Sequence, residues 1–464
     1  MYRKLEEIDP EQETLDEVLI TLPGCRHIFT VETLDGICEM ESFYRRDGPD
    51  GHWLGFEDPP TDFRKPPTCP TCRAAITSPR YGRIFKRADL DILENNVASQ
   101  MSHSLENVRE MIQSLSTADI GSVVTREASR TKASHPSLTA KALTSQKRAR
   151  GAILKDTREI PTPSEALDPA NPKFHSVVPS ATQAWKRATN QVFRLYTQAR
   201  QIAETRSAHV NAWEAAFSSL YEQEVNASLE DPAHAPRRPQ EHAMRVAKMM
   251  VGQPPPRADK RFTVEAFWLT LDLRFTLANV AQIWLDTTSN HQASYTAEQH
   301  HIWAYYVGFI LATCCRDAQV ALDIAAQSGS YRQVVKTKVY CMRADMERFR
   351  FNVHMARQKG TLTEDRKTLS ALAAQKGNAA EQESLLTVEN YLRLKGTRDD
   401  KRWLEDNFTN ISRKFIEEWS AIEGSLRSGT FYQPVSLEEQ MAVVRALSSD
   451  FCELSVHSLE SALN

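Results

Sequence analysis

The chain has 464 residues, with 57 Lys and Arg against 60 Asp and Glu, for a formal net charge of -3. That length exceeds one typical domain and implies two or three units. The near-neutral balance argues against a globally basic nucleic-acid binder, although a local basic patch remains compatible with it.

The first seven residues, Met1-Tyr2-Arg3-Lys4-Leu5-Glu6-Glu7, contain no apolar leader, which points to a cytoplasmic or nuclear protein. An acidic stretch (Glu6 to Glu17) leads into Val18-Leu19-Ile20-Thr21-Leu22, a short strand. Ile28-Phe29-Thr30-Val31 is a second run rich in β-branched and aromatic residues. The segment 41–67 is rich in Gly, Pro and Asp but carries Tyr44, Trp53, Phe56 and Phe63, aromatics suited to cover a small site. Tyr81-Gly82-Arg83-Ile84-Phe85 reads as a returning strand. Leu90, Leu93, Val97, Met101, Leu105, Val108 and Ile112 then recur at helical spacing.

Residues 118–173 lose all periodicity. They are dominated by Ser, Thr, Ala, Lys and Arg, end in Pro161, Pro163, Pro169 and Pro172, and read as a disordered basic linker. Its cluster Lys147-Arg148-Ala149-Arg150 is either solvated linker or a localisation or RNA contact. Residues 174–447 read as a helical scaffold. Trp185, Val192, Tyr196 and Ala199 share a face, as do Val210, Trp213, Phe217 and Leu220, and Trp268, Leu271, Phe275 and Ala278. Phe408, Ile411, Phe415, Trp419, Ile422 and Leu426 alternate steps of three and four, the seam of a bundle or coiled coil. Pro254-Pro255-Pro256 and Lys359-Gly360 punctuate the series. The apolar run from Ile302 to Cys315 is too short to span a bilayer and reads as a buried helix. Residues 448–464 read as a flexible tail. The fold class expected is mainly α: a small zinc-stapled α+β domain with a trailing helix over 1–117, then the linker and the helical region.

The chemistry concentrates at two short pairs. Cys25-Arg26-His27 and Cys69-Pro70-Thr71-Cys72 supply three thiolates and one imidazole, the donor set of a closed structural Zn2+ site. Four of the eight cysteines lie within the first 72 residues. The competing reading is a few buried cysteines near a surface histidine. Cys38, Cys314, Cys315, Cys341 and Cys452 show no framework spacing and read as reduced thiols. His300-His301 could bind metal but reads as surface. No Walker-type phosphate loop, Gly-x-Ser-x-Gly or His-Glu-x-x-His occurs, so neither nucleotide-driven nor hydrolytic catalysis is supported.

In order and spacing, Cys25, His27, Cys69 and Cys72 resemble the second zinc site of a RING finger. Pro70 and Arg73 match positions at which RING ubiquitin ligases contact a conjugating enzyme and ubiquitin. The first RING cysteine pair has no counterpart, and Cys38 stands alone. Over longer runs the chain resembles the C-terminal region of the NFX-type zinc-finger RNA helicases. Those runs are 22–36, Lys65-Pro66-Pro67-Thr68-Cys69-Pro70-Thr71-Cys72-Arg73, 79–91 and Ser428-Gly429-Thr430-Phe431-Tyr432 with 435–439. The resemblance implies a piece of a larger protein, without the helicase core and without the terminal RZ-type finger, to which Cys452 and His457 alone could contribute only two ligands.

Three functions follow as expectations. The first is a non-catalytic zinc-binding interaction module on a helical scaffold that engages protein partners, in RNA-linked regulation. The second is a RING-like ubiquitin ligase module that uses Pro70 and Arg73. The third is RNA contact through Arg80, Tyr81, Arg83, Phe85, Lys86 and Arg87, whose interleaved cations and aromatics suit phosphate contact with base stacking.

Overall fold

A computed structural model describes residues 19–46, 53–56, 67–76, 78–130, 144, 148, 162–165, 179–232, 235–252, 260–290, 297–394, 397–430 and 432. The chain is mostly helical, with two small antiparallel strand pairs among the described residues. Its contacts divide it into two units: residues 19–100 with 206–252, and 101–205 with the described residues from 260 onward. These cuts do not coincide with the boundaries read from the sequence at 117, 173 and 447.

In the first unit β1 (Leu19–Thr21) pairs with β2 (Ile28–Thr30), Ile20 opposite Phe29. Both strands lie where the β-branched runs place them. Thr30 then caps α1 (Val31–Ile37): its hydroxyl accepts from the Thr33 amide at 3.2 Å, which satisfies one of the orphan donors of the first turn. β3 (Tyr44–Arg46) and β4 (Trp53–Phe56) form the second pair.

The strand expected over 81–85 is instead the start of α2 (Pro79–Gln113). Tyr81, Ile84, Phe85 and Ala88 are all buried, a spacing of three, four and seven that only a helix can turn to one side. Pro79 opens the helix, a position where its missing N–H costs nothing. The Gly82 amide reaches the Ser78 carbonyl at 2.8 Å. These side chains join Leu22, Leu34, Met40, Phe43 and Ile76 in one small core, with Phe43 edge-on to Phe85 at 6.0 Å. The helical spacing read from Leu90 onward continues the same helix.

α5 (Ala208–Glu230) and α6 (Pro239–Val251) pack together in this unit. Of the stripe expected to be core, Val210 is buried. Trp213 and Phe217 are half-buried and stack on each other at 5.2 Å.

The second unit is a helical bundle. It holds α3 (Thr117–Arg130), α4 (Pro179–Glu204), α7 (Lys260–Asn290), α8 (Ala297–Gln327), α9 (Tyr331–Gln358), α10 (Leu362–Leu394), α11 (Arg398–Leu404) and α12 (Asn410–Ser428). α7 is central and packs on α3, α4 and α8, while α10 pairs with α12. Trp185 of α4, Trp284 of α7 and Trp303 and Tyr306 of α8 are fully buried together. Trp303 lies 4.9 Å from Trp284 and 5.2 Å from Trp185. The expected seam Phe408, Ile411, Phe415, Trp419, Ile422 and Leu426 is buried throughout. α10 approaches it closely: a Cβ on Gly377 would come within 3.2 Å of the Trp419 side chain. α9 ends before Gly360, whose φ of 73° is left-handed, as the Lys-Gly pair implied. The run Ile302–Cys315 lies within α8, and no helix among the described residues is long and apolar enough to cross a membrane.

Two parts of the expected linker are ordered. α3 packs on α7, with Gly121, Val124 and Ala128 buried; their spacing of three to four residues is helical, but the Ser, Thr and Arg around them give the segment a linker-like composition. Thr162, Pro163 and Ser164 are also buried. The basic cluster 147–150 (Arg148 apart), the triple proline, the acidic N-terminal stretch, Phe63, Cys452 and His457 lie outside the described residues.

Candidate metal centre

Two turns of the same shape hold Cys25, His27, Cys69 and Cys72. In the first, the Arg26 amide donates to the Leu22 carbonyl at 2.7 Å, and the Leu22 amide donates to the His27 carbonyl at 2.9 Å. In the second, Arg73 donates to Cys69 at 2.7 Å and Cys69 donates to Ala74 at 2.8 Å. Arg26 and Arg73 both take left-handed backbone, with φ of 58° and 59°. That conformation costs a non-glycine residue on the order of 1 kcal/mol, and the paired backbone bonds on each side impose it. Leu22-Pro23-Gly24-Cys25-Arg26-His27 therefore superposes in hydrogen-bond pattern on Cys69-Pro70-Thr71-Cys72-Arg73-Ala74. Leu22 stands where the second turn has a cysteine, and His27 supplies the fourth ligand from the position of Ala74. The shared Pro-x-Cys-Arg was legible in the sequence as a short internal repeat.

The ligand atoms of Cys25, His27, Cys69 and Cys72 all lie within 4.8 Å of one another, so this cluster could hold a metal ion. Cys69 Sγ is 3.6 Å from His27 Nδ1. Cys69 is buried, Cys25 and His27 are half-buried, and Cys72 faces solvent. Burial opposes ionisation of Cys69. The amides of Cys72 and Thr71 and the neighbouring thiols outweigh it and bring the thiol down to about 7. At Cys25 the His27 amide favours the thiolate, but burial and hydrogen bonding with Cys72 and Cys69 raise its pKa overall. Amides aimed at sulfur are what a thiolate ligand set needs.

The other cysteines are of a different kind. Burial pushes Cys38, Cys314 and Cys341 up to about 12, and no disulfide links the described cysteines. Their thiols are shifted in the opposite direction to Cys69. His300 is half-buried against Ser289, 2.9 Å away, and His301 is exposed; neither belongs to a metal-ligating group among the described residues.

In the same unit, Asp35 near the end of α1 accepts from Arg80 Nε at 3.0 Å, Arg80 Nη2 at 2.7 Å and the Tyr81 hydroxyl at 2.8 Å. These contacts join segments 45 and 46 residues apart, and nothing local in the sequence announced them. Burial raises the Tyr81 phenol far above its usual range, so it remains a donor. Tyr81→Phe is expected to lower the unfolding free energy by about 1 kcal/mol. Arg80→Ala, whose ion pair is exposed, should cost less. Urea denaturation of the two variants measures the order, and an equal or reversed order contradicts the geometry.

Of the residues expected to contact RNA, Tyr81 and Phe85 are 0% and 3% exposed. Neither has a face left to stack on a base, which corrects the stacking part of that expectation. Arg80 is tied to Asp35, Lys86 is exposed, and the side chains of Arg83 and Arg87 lie outside the described residues. Pro70 and Arg73 are exposed on the second turn. Of the aromatics expected over the site, Tyr44 packs against the small core; the side chains of Trp53 and Phe56 lie outside the described residues.

Comparison with known proteins returned nothing similar: no family model matches the chain, nor does any curated protein or solved structure.

Proposed function

We propose that Cys25, His27, Cys69 and Cys72 bind one zinc ion and make the first unit a RING-like interaction module joined to a helical scaffold. The observation that carries this reading is the convergence of three sulfurs and one imidazole, from two turns of the same shape, within 4.8 Å. Tetrahedral zinc with bonds of about 2.0–2.3 Å places its ligands roughly 3.5–3.8 Å apart, in keeping with the 3.6 Å between Cys69 Sγ and His27 Nδ1. With all four positions taken by protein, the ion has no open position for substrate, so its part is structural. The motif resemblance to the C-terminal region of NFX-type zinc-finger helicases supports a place in RNA-linked regulation, with protein partners engaging the helical region. Elemental analysis of the purified chain should find one zinc per molecule, lost in Cys25→Ser and Cys69→Ser. A chain that takes up no zinc from zinc-supplemented medium ends this reading.

Exposure of Pro70 and Arg73 side by side with the cluster favours a second reading, recruitment of a ubiquitin-conjugating enzyme. Such a module supplies no nucleophile; it orients the charged enzyme. Autoubiquitination across a panel of conjugating enzymes should then give conjugates that Arg73→Ala reduces at least tenfold. Their absence with the unaltered chain excludes it.

A further inference from the structure

The tetrapeptide Thr162-Pro163-Ser164-Glu165 belongs to no helix or strand, yet its first three residues are buried in the second unit. Every polar atom of Ser164 is read by a side chain. Its amide donates to Asp317 Oδ2 at 2.6 Å, and its hydroxyl donates to Asp317 Oδ1 at 2.7 Å. The same hydroxyl accepts from Arg316 Nη1 at 2.8 Å, and its carbonyl accepts from the Tyr196 hydroxyl. Three helices supply these groups: α4 gives Tyr196, α7 gives Arg274, and α8 gives Arg316 and Asp317.

The slot is built rather than incidental. Asp317 is fully buried, and its charge is met by Arg274, which is 2% exposed and lies over the Tyr196 ring, and by Arg316 at 2.9 Å. A bundle closing its own core has no need of such groups, since buried charge is costly to desolvate. Here they are arranged around the main chain and side chain of one residue. Pro163 restricts its own φ and favours extended backbone at Thr162, so this ligand loses little freedom on docking. The match is incomplete: Arg274 Nε and Nη1 are buried without hydrogen-bond partners among the described residues, and on the segment itself so is Thr162 Oγ1.

We propose that Tyr196, Arg274, Arg316 and Asp317 form a recognition site for an extended apolar–Pro–Ser peptide. The site is occupied in cis by Thr162–Glu165, and a partner protein carrying a better-matched sequence competes for it. The unsatisfied threonine hydroxyl defines that better match. A β-branched apolar residue before the proline keeps the shape and removes the unpaired polar group, so the chain's own segment is a deliberately displaceable ligand.

The test uses the full chain with Thr162–Glu165 replaced by Gly-Ser-Gly-Ser and a fluorescein-labelled peptide spanning residues 158–169, read by anisotropy. Saturable binding is expected, and at least tenfold weaker binding to the intact chain, whose tethered segment competes at a high effective concentration. The peptide carrying Ser164→Ala should bind at least roughly tenfold more weakly. Phosphoserine at 164 loses the hydroxyl donor to Asp317 Oδ1 and sets its own negative charge against that carboxylate, so it should not bind, while Thr162→Val should bind several-fold more tightly. No binding to a replaced chain with unchanged helical circular dichroism overturns the proposal, as does binding indifferent to Ser164→Ala. Should the replaced chain not fold, hydrogen exchange at the Ser164 amide of the intact chain decides. Protection that millimolar Thr162→Val peptide releases supports the site; absent protection, or protection the peptide leaves unchanged, overturns it.

Discussion

Stripping metal from the chain with excess chelator is expected to release the segment 19–76 from protection against hydrogen exchange while leaving the tryptophan signals of the second unit intact. The core around the four ligands is small: Leu22, Leu34, Met40, Phe43, Ile76, Tyr81, Ile84, Phe85 and Ala88, with Cys38 and Cys69. Two three-residue strands and one seven-residue helix bury too little apolar surface to offset their own ordering entropy without a staple. Structural zinc contributes on the order of 10 kcal/mol in isolated finger peptides, more than such a core supplies. Left-handed backbone at Arg26 and Arg73 adds a cost that only the assembled turns recover. Cys69→Ser should reproduce the effect of chelation, because Cys69 is the most buried ligand and receives the amides of Thr71 and Cys72. Full protection of 19–76 in chelator would contradict a metal staple. Failure of this test bears on the zinc reading alone and leaves the slot at Asp317 untouched.

Trp303→Ala is expected to be the most costly single truncation in the second unit, lowering its unfolding free energy by about 3–5 kcal/mol. The side chain is fully buried and meets Trp284 at 4.9 Å, Trp185 at 5.2 Å and Tyr306 at 5.9 Å. One deletion therefore removes aromatic contacts to α4 and α7 and to Tyr306 on its own helix, and leaves a cavity its rigid neighbours cannot close. Each edge-to-face pair adds about 0.5–1.5 kcal/mol beyond burial. Urea denaturation followed by the remaining tryptophans should show a midpoint lowered by roughly 1 M. A loss under about 1 kcal/mol would mean the cluster is not the centre of this core.

Much of the helical unit was legible from spacing alone. Phe408, Ile411, Phe415, Trp419, Ile422 and Leu426 are bulky, apolar and regularly placed, and all six are buried. At Gly121, Val124 and Ala128 in α3 the helical spacing is present, but the segment is short and set among Ser, Thr and Arg, so its composition reads as linker. The region 81–85 failed for another reason. Tyr81, Ile84 and Phe85 favour strands by type, but Ser78-Pro79 just ahead of them is a helix start, and the wider period through Ala88 settles the matter once Leu34 and Phe43 offer a surface to pack on.

By itself the sequence determined the candidate Cys/His set and the mainly helical class. Cys and His are rare and reactive at close spacing, and a helix's period of 3.6 is written locally in which residues are apolar. Only the tertiary structure decided that Asp35 joins Arg80 and Tyr81, and that Ser164 is seated against Asp317. Each of those depends on donors and acceptors brought together across 45 to 153 residues of chain. Complementarity at that range leaves no period or motif to read, because it resides in the packed geometry and not in any stretch of neighbours.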